Sequence, residues 1–205
     1  MEQDLLNRLT SGLFVLTANY EGRDNGCITS TAIQLTADPL RISVAVNKNN
    51  LTCKMIDATK KFTISVLSES APFDVFKRFG FQSGRDVDKF AGYTECKRAS
   101  NGRLIVTAGT NAYMSVEVVQ QVDFGSHILF VGKPSEGEIL NGNPSLTYAY
   151  YLENIKPKPE KRGVTQDDQT IWKCTVCGYE YVGEEMPVGF LCPVCKHPTC
   201  FFEKV

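Results

Sequence analysis

The chain has 205 residues, with 22 Lys and Arg against 23 Asp and Glu, for a formal net charge of −1. That balance leaves no basic footprint for nucleic acid or for an anionic membrane surface. No run of about 18 apolar residues occurs, and the acidic, polar start (Met1-Glu2-Gln3-Asp4) is not a signal peptide. The length suits one ordinary domain plus a small one. Without an export signal the cytoplasm is the expected location, where Cys27, Cys53, Cys96 and Cys200 stay reduced.

Strand patterns dominate the first three quarters of the chain. Ile42, Val44 and Val46 alternate with Ser43, Ala45 and Asn47, and Phe62, Ile64 and Val66 alternate with Thr63 and Ser65. Between them Asn50 is placed to cap a brief helix that buries Leu51, Met55 and Ile56. A second brief helix carries Phe73, Phe76 and Phe79. Met114, Val116 and Val118 form another period-two run, followed by the apolar Ile128 to Val131. Gly, Pro, Asp and Asn turns separate short strands without regular βαβ alternation. The expected fold is mainly β, an antiparallel barrel with covering helices.

Residues 154–170 (NIKPKPEKRGVTQDDQT) are polar, contain two Lys-Pro pairs and show no apolar periodicity. This is linker composition, with a reach of roughly 50 Å when fully stretched. The expected domains are therefore 1–153, a linker at 154–170, and a small unit at 171–205.

The larger domain lacks a dinucleotide loop, a P-loop and a nucleophile elbow, and has a single histidine, His127. It offers hydroxyl, amide and basic groups near strand ends: Asn25, Thr29, Ser30, Thr31, Asn47, Lys48, Asn49 and Thr52. Thr52 falls in the first turn of the predicted helix, where free amides and the dipole favour an anion such as phosphate.

In the small unit, Cys174, Cys177, Cys192 and Cys195 are spaced C-x2-C-x14-C-x2-C, which specifies a tetrathiolate metal site. Zinc there would only hold the fold, whereas iron would carry one electron. Gly178 permits a left-handed turn that aims amides at sulfur. Trp172, Tyr179, Tyr181, Phe190, Phe201 and Phe202 supply the bulk that so small a unit needs beside a metal staple. His197 and Cys200 are surplus to a saturated tetrahedron.

Read together, W-x-C-x2-C-G-Y-x-Y and C-P-x-C make Trp172 to the C-terminus resemble a rubredoxin, in the abbreviated form appended to rubrerythrins. A glycine usually follows the second knuckle in that family; here Lys196 does, at a cost of roughly 1 kcal/mol in left-handed backbone that a metal site absorbs. Across Met1 to Glu153, six runs resemble the flavin reductase-like, FMN-binding split-barrel family. They are Asn25 to Thr31, Ala37-Asp38-Pro39-Leu40, Asn47 to Thr52, Phe81 to Phe90 (FQSGRDVDKF), Gly125 to Lys133 (GSHILFVGK) and Leu146-Thr147-Tyr148. The combination is similar to the high-molecular-weight rubredoxins of anaerobic bacteria, kin of flavoredoxin.

The resemblance implies FMN on one face of the barrel. Asn25 and Thr29–Thr31 would meet the ring edge, and Asn47, Lys48, Asn49 and Thr52 would hold the phosphate. Thr31 stands where relatives often have tryptophan or serine. Lys89 would bring positive charge near the phosphate or the pyrimidine end, unless Arg85-Asp86 and Asp88-Lys89 form a solvent-screened ion-pair loop. His127 would bond the flavin or guide the nicotinamide. NADH or NADPH supplies two electrons as a hydride and a single iron accepts one, so a flavin is needed to convert between them. The implied route runs from NAD(P)H through FMN to iron and on to a flavodiiron protein that reduces oxygen or nitric oxide. The barrels are expected to pair as homodimers. The alternative is a simple NAD(P)H:flavin reductase carrying a structural zinc ribbon.

Overall fold

Seven antiparallel strands build the larger unit, in the spatial order β2-β1-β5-β8-β9-β4-β3. The computed structural model describes residues 9–157, 170–175, 178–193 and 198–205, and divides the chain into two compact units, Met1–Ile155 and Lys156–Val205. The strands are β1 (Phe14–Tyr20), β2 (Arg23–Thr29), β3 (Ile33–Ala37), β4 (Leu40–Asn47), β5 (Lys61–Leu67), β8 (Thr110–Asp123) and β9 (His127–Ile139). A small hairpin, β6 (Cys96–Arg98) with β7 (Leu104–Val106), packs beside them. The unit is mainly β, and its two main helices are α1 (Leu51–Thr59) and α2 (Phe73–Gly80).

On β4, Ile42, Val44 and Val46 enter the core as the pattern predicts, while Ser43 between them is buried as well. On β5 it does not, because Thr63 and Ser65 are as buried as Phe62 and Ile64. The β6–β7 hairpin covers that second face. Ser65 Oγ accepts the Val106 amide at 3.0 Å, and the Thr63 hydroxyl accepts Asn101 Nδ2 at 3.2 Å. Hydrogen bonds to the hairpin thus compensate the burial of two hydroxyls.

The core has two parts. Helix α1 lays Met55 and Ile56 over Leu16, Phe62, Ile64, Val116 and Phe130. Helix α2 lays Val75, Phe76 and Phe79 against Leu13, Leu67, Val106 and Tyr151. Each such side chain contributes about 1.5–3 kcal/mol by leaving water. Asn50 does occupy the N-cap position of α1, but its side chain makes no capping bond. Phe73 is only half-buried, and Val75 takes the inward place.

The sheet is open between its edges, β2 and β3. Thr31, just beyond β2, bridges the gap to β4: its hydroxyl donates to Ala45 O at 2.8 Å and accepts the Ala45 amide at 3.0 Å.

The smaller unit is a three-stranded antiparallel sheet in the order β11-β10-β12, from β10 (Ile171–Cys174), β11 (Glu180–Val182) and β12 (Phe202–Lys204). Residues 158–169 of the expected linker lie outside the described residues.

Candidate functional site

One open cavity of about 250 Å³ collects half of the polar residues that the sequence singles out: Thr29, Ser30, Thr31, Asn47 and His127 line it, while Asn25, Lys48, Asn49, Thr52 and Lys89 do not. Thr29, Ser30 and Thr31 form one wall, and Ala45, Val46 and Asn47 from β4 form another. His127, Asn50, Tyr148, Cys27, Leu13 and Ile28 complete the lining. Strand pairing produces this meeting, since Asn47 lies opposite His127 in the β4–β9 register. Ala45 and Asn47 face away from the core that takes Val44 and Val46, and the buried Leu13, Cys27 and Val46 reach the cavity as well.

The hydroxyls on that wall are not equivalent. Thr31 uses its one proton on Ala45 O and accepts from Ala45 N. Thr29 Oγ1, 2.9 Å away, must then be the donor to Thr31 Oγ1. Thr31 is saturated by the barrel itself and Thr29 keeps one lone pair. Ser30 is the wall hydroxyl with donor capacity left for a guest.

Asn25 and Thr52 stand behind this wall. Asn25 is 2% exposed and Thr52 0%, and Asn25 Nδ2 donates to Thr52 Oγ1 at 2.8 Å. Neither lines the cavity. Thr52 also faces Cys27, whose thiol burial pushes upward in pKa, opposed by the Thr52 hydroxyl, the Lys89 charge and the Asn50 side chain.

The turn into α1 forms the polar end. Asn47 Oδ1 accepts the Asn49 amide at 2.8 Å, and the Asn50 amide bonds Asn47 O at 3.0 Å. Of the amides that follow, Cys53 N donates to Asn50 O at 3.1 Å, so the Leu51 and Thr52 amides are the free start of the helix. Lys48 pairs with Asp123 at 2.5 Å, and the lysine together with the Gly125 amide holds that carboxyl below the usual range. Arg85 donates from Nε and Nη2 to Asn49 O at 3.4 and 3.3 Å. Among the described residues Arg85 has no carboxylate partner within ion-pair distance.

Lys89 is not brought to this cavity. It is 4% exposed, and its Nζ donates to Gly26 O at 2.9 Å and Phe79 O at 3.1 Å. Burial lowers its pKa to about 8. The ion-pair loop does not form either, because Asp88 accepts the Phe90 amide and Lys89 is committed to carbonyls. Of the two cations in FQSGRDVDKF, the exposed Arg85 is the one beside the helix start. Sequence reasoning chose the other, since nothing in the motif tells which side chain turns inward. Tyr148, Asn50 and Cys27 were also not assigned to the site, although each lies in or beside a quoted run.

In the smaller unit, Cys174 ends β10 at 1% exposure and Cys192 is fully buried at 0%. The Gly178 amide donates to Cys174 O at 2.8 Å, and Gly178 takes φ +80°, the left-handed turn its position requires. Tyr181, Phe190 and Phe202 pack ring on ring, with centroids 5.0 and 5.7 Å apart, and Trp172 Nε1 donates to Gly183 O. Two buried thiols on a rigid aromatic base suit a soft metal. Cys177, Cys195, Lys196 and His197 lie outside the described residues. Cys200 is exposed on the 3-10 turn Thr199–Phe201.

Comparison with known proteins agrees with this division. Residues 6–157 match the flavin reductase like domain and residues 172–203 the rubrerythrin, rubredoxin-like domain. The chain is 33% identical to high molecular weight rubredoxin of Moorella thermoacetica, covering all of both chains. It is 35% identical to ferric-chelate reductase (NAD(P)H) of Archaeoglobus fulgidus, over 74% of this chain and 89% of that one. A Thermus thermophilus FMN-binding protein with bound p-hydroxybenzaldehyde superposes with a TM-score of 0.56 and 26% identity, covering 72% of this chain and 78% of the other. The cavity lining carries the Ser30 hydroxyl and the Asn47 and Asn50 side-chain amides, groups that suit a flavin, and the cysteine spacing offers iron four thiolates. The chain belongs to the flavin reductase like family, joined to a rubredoxin-like domain as in high molecular weight rubredoxin, and is an NAD(P)H-dependent flavoprotein oxidoreductase with FMN and iron as cofactors.

Proposed function

We propose that electrons enter at the cavity between β2, β4 and the β8–β9 turn and leave through the iron held by Cys174, Cys177, Cys192 and Cys195. The observation that carries this reading is one cavity lined by Ser30, Asn47, Asn50 and His127, beside the α1 turn whose Asn49 carbonyl Arg85 contacts, on the same chain as two buried knuckle cysteines. FMN bound there supplies the conversion between a two-electron hydride donor and a one-electron acceptor. The chain's residues bind, orient and tune. Ser30 and Asn50 offer bonds to the ring edge, and His127 stands where the nicotinamide approaches. Arg85, Lys48 and the α1 amides hold the phosphate, the helix start adding its partial positive charge. Lys89, behind Gly26, adds charge from within the wall.

Two finer features belong to this reading. The final acceptor is a flavodiiron protein, met in the cytoplasm. The working form is a homodimer: all five residues of β3 are exposed, with Ile33 at 58% and Leu35 at 46%, beside an apolar hollow lined by Phe14, Ile33, Ile42, Ile64 and Met114. A second copy would cover it.

Anaerobic stopped-flow mixing with NADH and with NADPH tests the route. Flavin bleaching should precede iron bleaching, at a second-phase rate independent of protein concentration. A chain ending at Lys161 should oxidise the nicotinamide but fail to reduce a one-electron protein partner. If it reduces that partner as fast as the full chain, electrons leave from the flavin instead.

A further inference from the structure

The β8–β9 hairpin runs past the barrel, and every residue from 119 to 126 is exposed. Its turn is nevertheless firmly tied. Phe124 N donates to His127 O at 2.9 Å, Ser126 N to Phe124 O at 3.0 Å, and Gly125 N to Asp123 Oδ1 at 2.8 Å. Lys48 fastens it to the α1 turn twice, through its amide to Ser126 O at 3.0 Å and its ammonium to Asp123. This rigid turn carries Phe124, a phenylalanine 66% exposed, which makes no aromatic contact among the described residues.

Register places that ring. Asp123 pairs with Ile128, so the next rung sets Phe124 opposite His127, and residues directly opposite share one face of an antiparallel pair. His127 lines the flavin cavity. Phe124 therefore lies on the cavity side, at its rim. At about 250 Å³ the cavity is below the roughly 300–1,000 Å³ of a pocket that engulfs a ligand of this class, so a bound ring keeps one face open toward the rim.

We propose that Phe124 is the residue that receives the nicotinamide nucleotide, stacking a flat face of the donor as it lies over the cavity mouth. This rests on the flavin cavity proposed above. An aromatic ring held by a tied backbone loses little freedom when it stacks, which is why so exposed a phenylalanine is useful there. His127, its neighbour across the turn, offers a polar edge beside it.

The test uses the full chain loaded with FMN. NAD+ and NADP+ serve as non-reacting probes in equilibrium titrations of the wild type, Phe124→Ala and Phe124→Tyr, alongside flavin content and sedimentation velocity. Phe124→Ala should weaken the better probe about five- to tenfold and raise the KM of the matching reduced nucleotide in step, with flavin content and sedimentation unchanged. Phe124→Tyr should restore affinity. Unchanged probe affinity in Phe124→Ala overturns the proposal, and so does an effect that appears as lost flavin or a dissociated dimer. A wild-type chain that retains no FMN would instead sink the cavity assignment.

Discussion

Asn25 Nδ2 lies 2.8 Å from the Thr52 hydroxyl, and the two side chains are among the most buried polar groups of the barrel. The pair links β2, behind the proposed flavin wall, to the first turn of α1. Thr52→Ala leaves the Asn25 amide without its acceptor in a buried place, which costs about 1–3 kcal/mol. Denaturant unfolding should show that loss, Thr52→Ser should recover most of it, and FMN affinity should fall about tenfold as the α1 turn loosens. An Asn25→Ala/Thr52→Ala cycle should return a coupling of about 1 kcal/mol, the mark of a shared bond and not of two independent sites.

Arg85 and Lys89 should separate cleanly. Arg85→Ala removes an exposed cation from the α1 turn, so FMN affinity should drop about ten- to a hundredfold and depend less on salt, with unfolding free energy nearly unchanged. Riboflavin, which lacks the phosphate, should bind both forms alike. Equal loss for riboflavin would remove Arg85 from the phosphate end.

Lys89 gives a pH signature instead. Its folded pKa of about 8 is below the ordinary 10.5, so the unfolded chain holds more protons between those values. Stability therefore rises as pH climbs from about 8 toward 10.5. Burial lifts the Cys53 thiol from 9.0 to about 11, which works the other way over that upper range. The difference between wild type and Lys89→Met, followed by denaturant titration from pH 7 to 10, removes the Cys53 contribution and reports the lysine together with the Cys27 thiol it faces. The variant should lose the rise, of the order of 1–3 kcal/mol.

Cys192→Ser should abolish the red iron absorbance while leaving FMN bound, since separate units carry the two cofactors. Cys200→Ser, on an exposed turn, should leave iron content as it was. Metal analysis with a visible spectrum reads both, and zinc in place of iron would make the unit structural.

Leu35→Glu puts a charge on the exposed strand β3. Sedimentation velocity should then show monomer where the wild type shows dimer. A dimer that survives the substitution places the interface elsewhere.

What the sequence made legible follows from how local each signal is. The period-two runs at Ile42–Val46 and Met114–Val118 and the apolar stripe of α1 emerge as strands and helix, because burial alone drives them. The second buried face of β5 was hidden, since Thr63 and Ser65 look solvated until the distant 96–106 hairpin covers them. The same limit explains the site. Ser30, Asn47 and His127 converge as their motif runs suggest, but Thr31 and Lys89 are consumed by Ala45, Gly26 and Phe79, partners 14, 63 and 10 residues away. Hydrogen-bond saturation is a property of tertiary neighbours, and spacing along the chain carries no trace of it.

The single-hydroxyl bridge from Thr31 to Ala45 has a kinetic consequence. Where a closed barrel would need a whole ladder unzipped, this seam parts with two hydrogen bonds, at a net cost of about 1–3 kcal/mol, well below the roughly 5–15 kcal/mol of global unfolding. The β2 side of the cavity can therefore open more readily than β1, β5, β8 and β9, which stay paired, although Cys27 of β2 still packs in one core cluster with Val44 and Val46 of β4. The Ala45 amide, held only by the Thr31 hydroxyl on that side, should exchange with deuterium well before the β5–β8 ladder does.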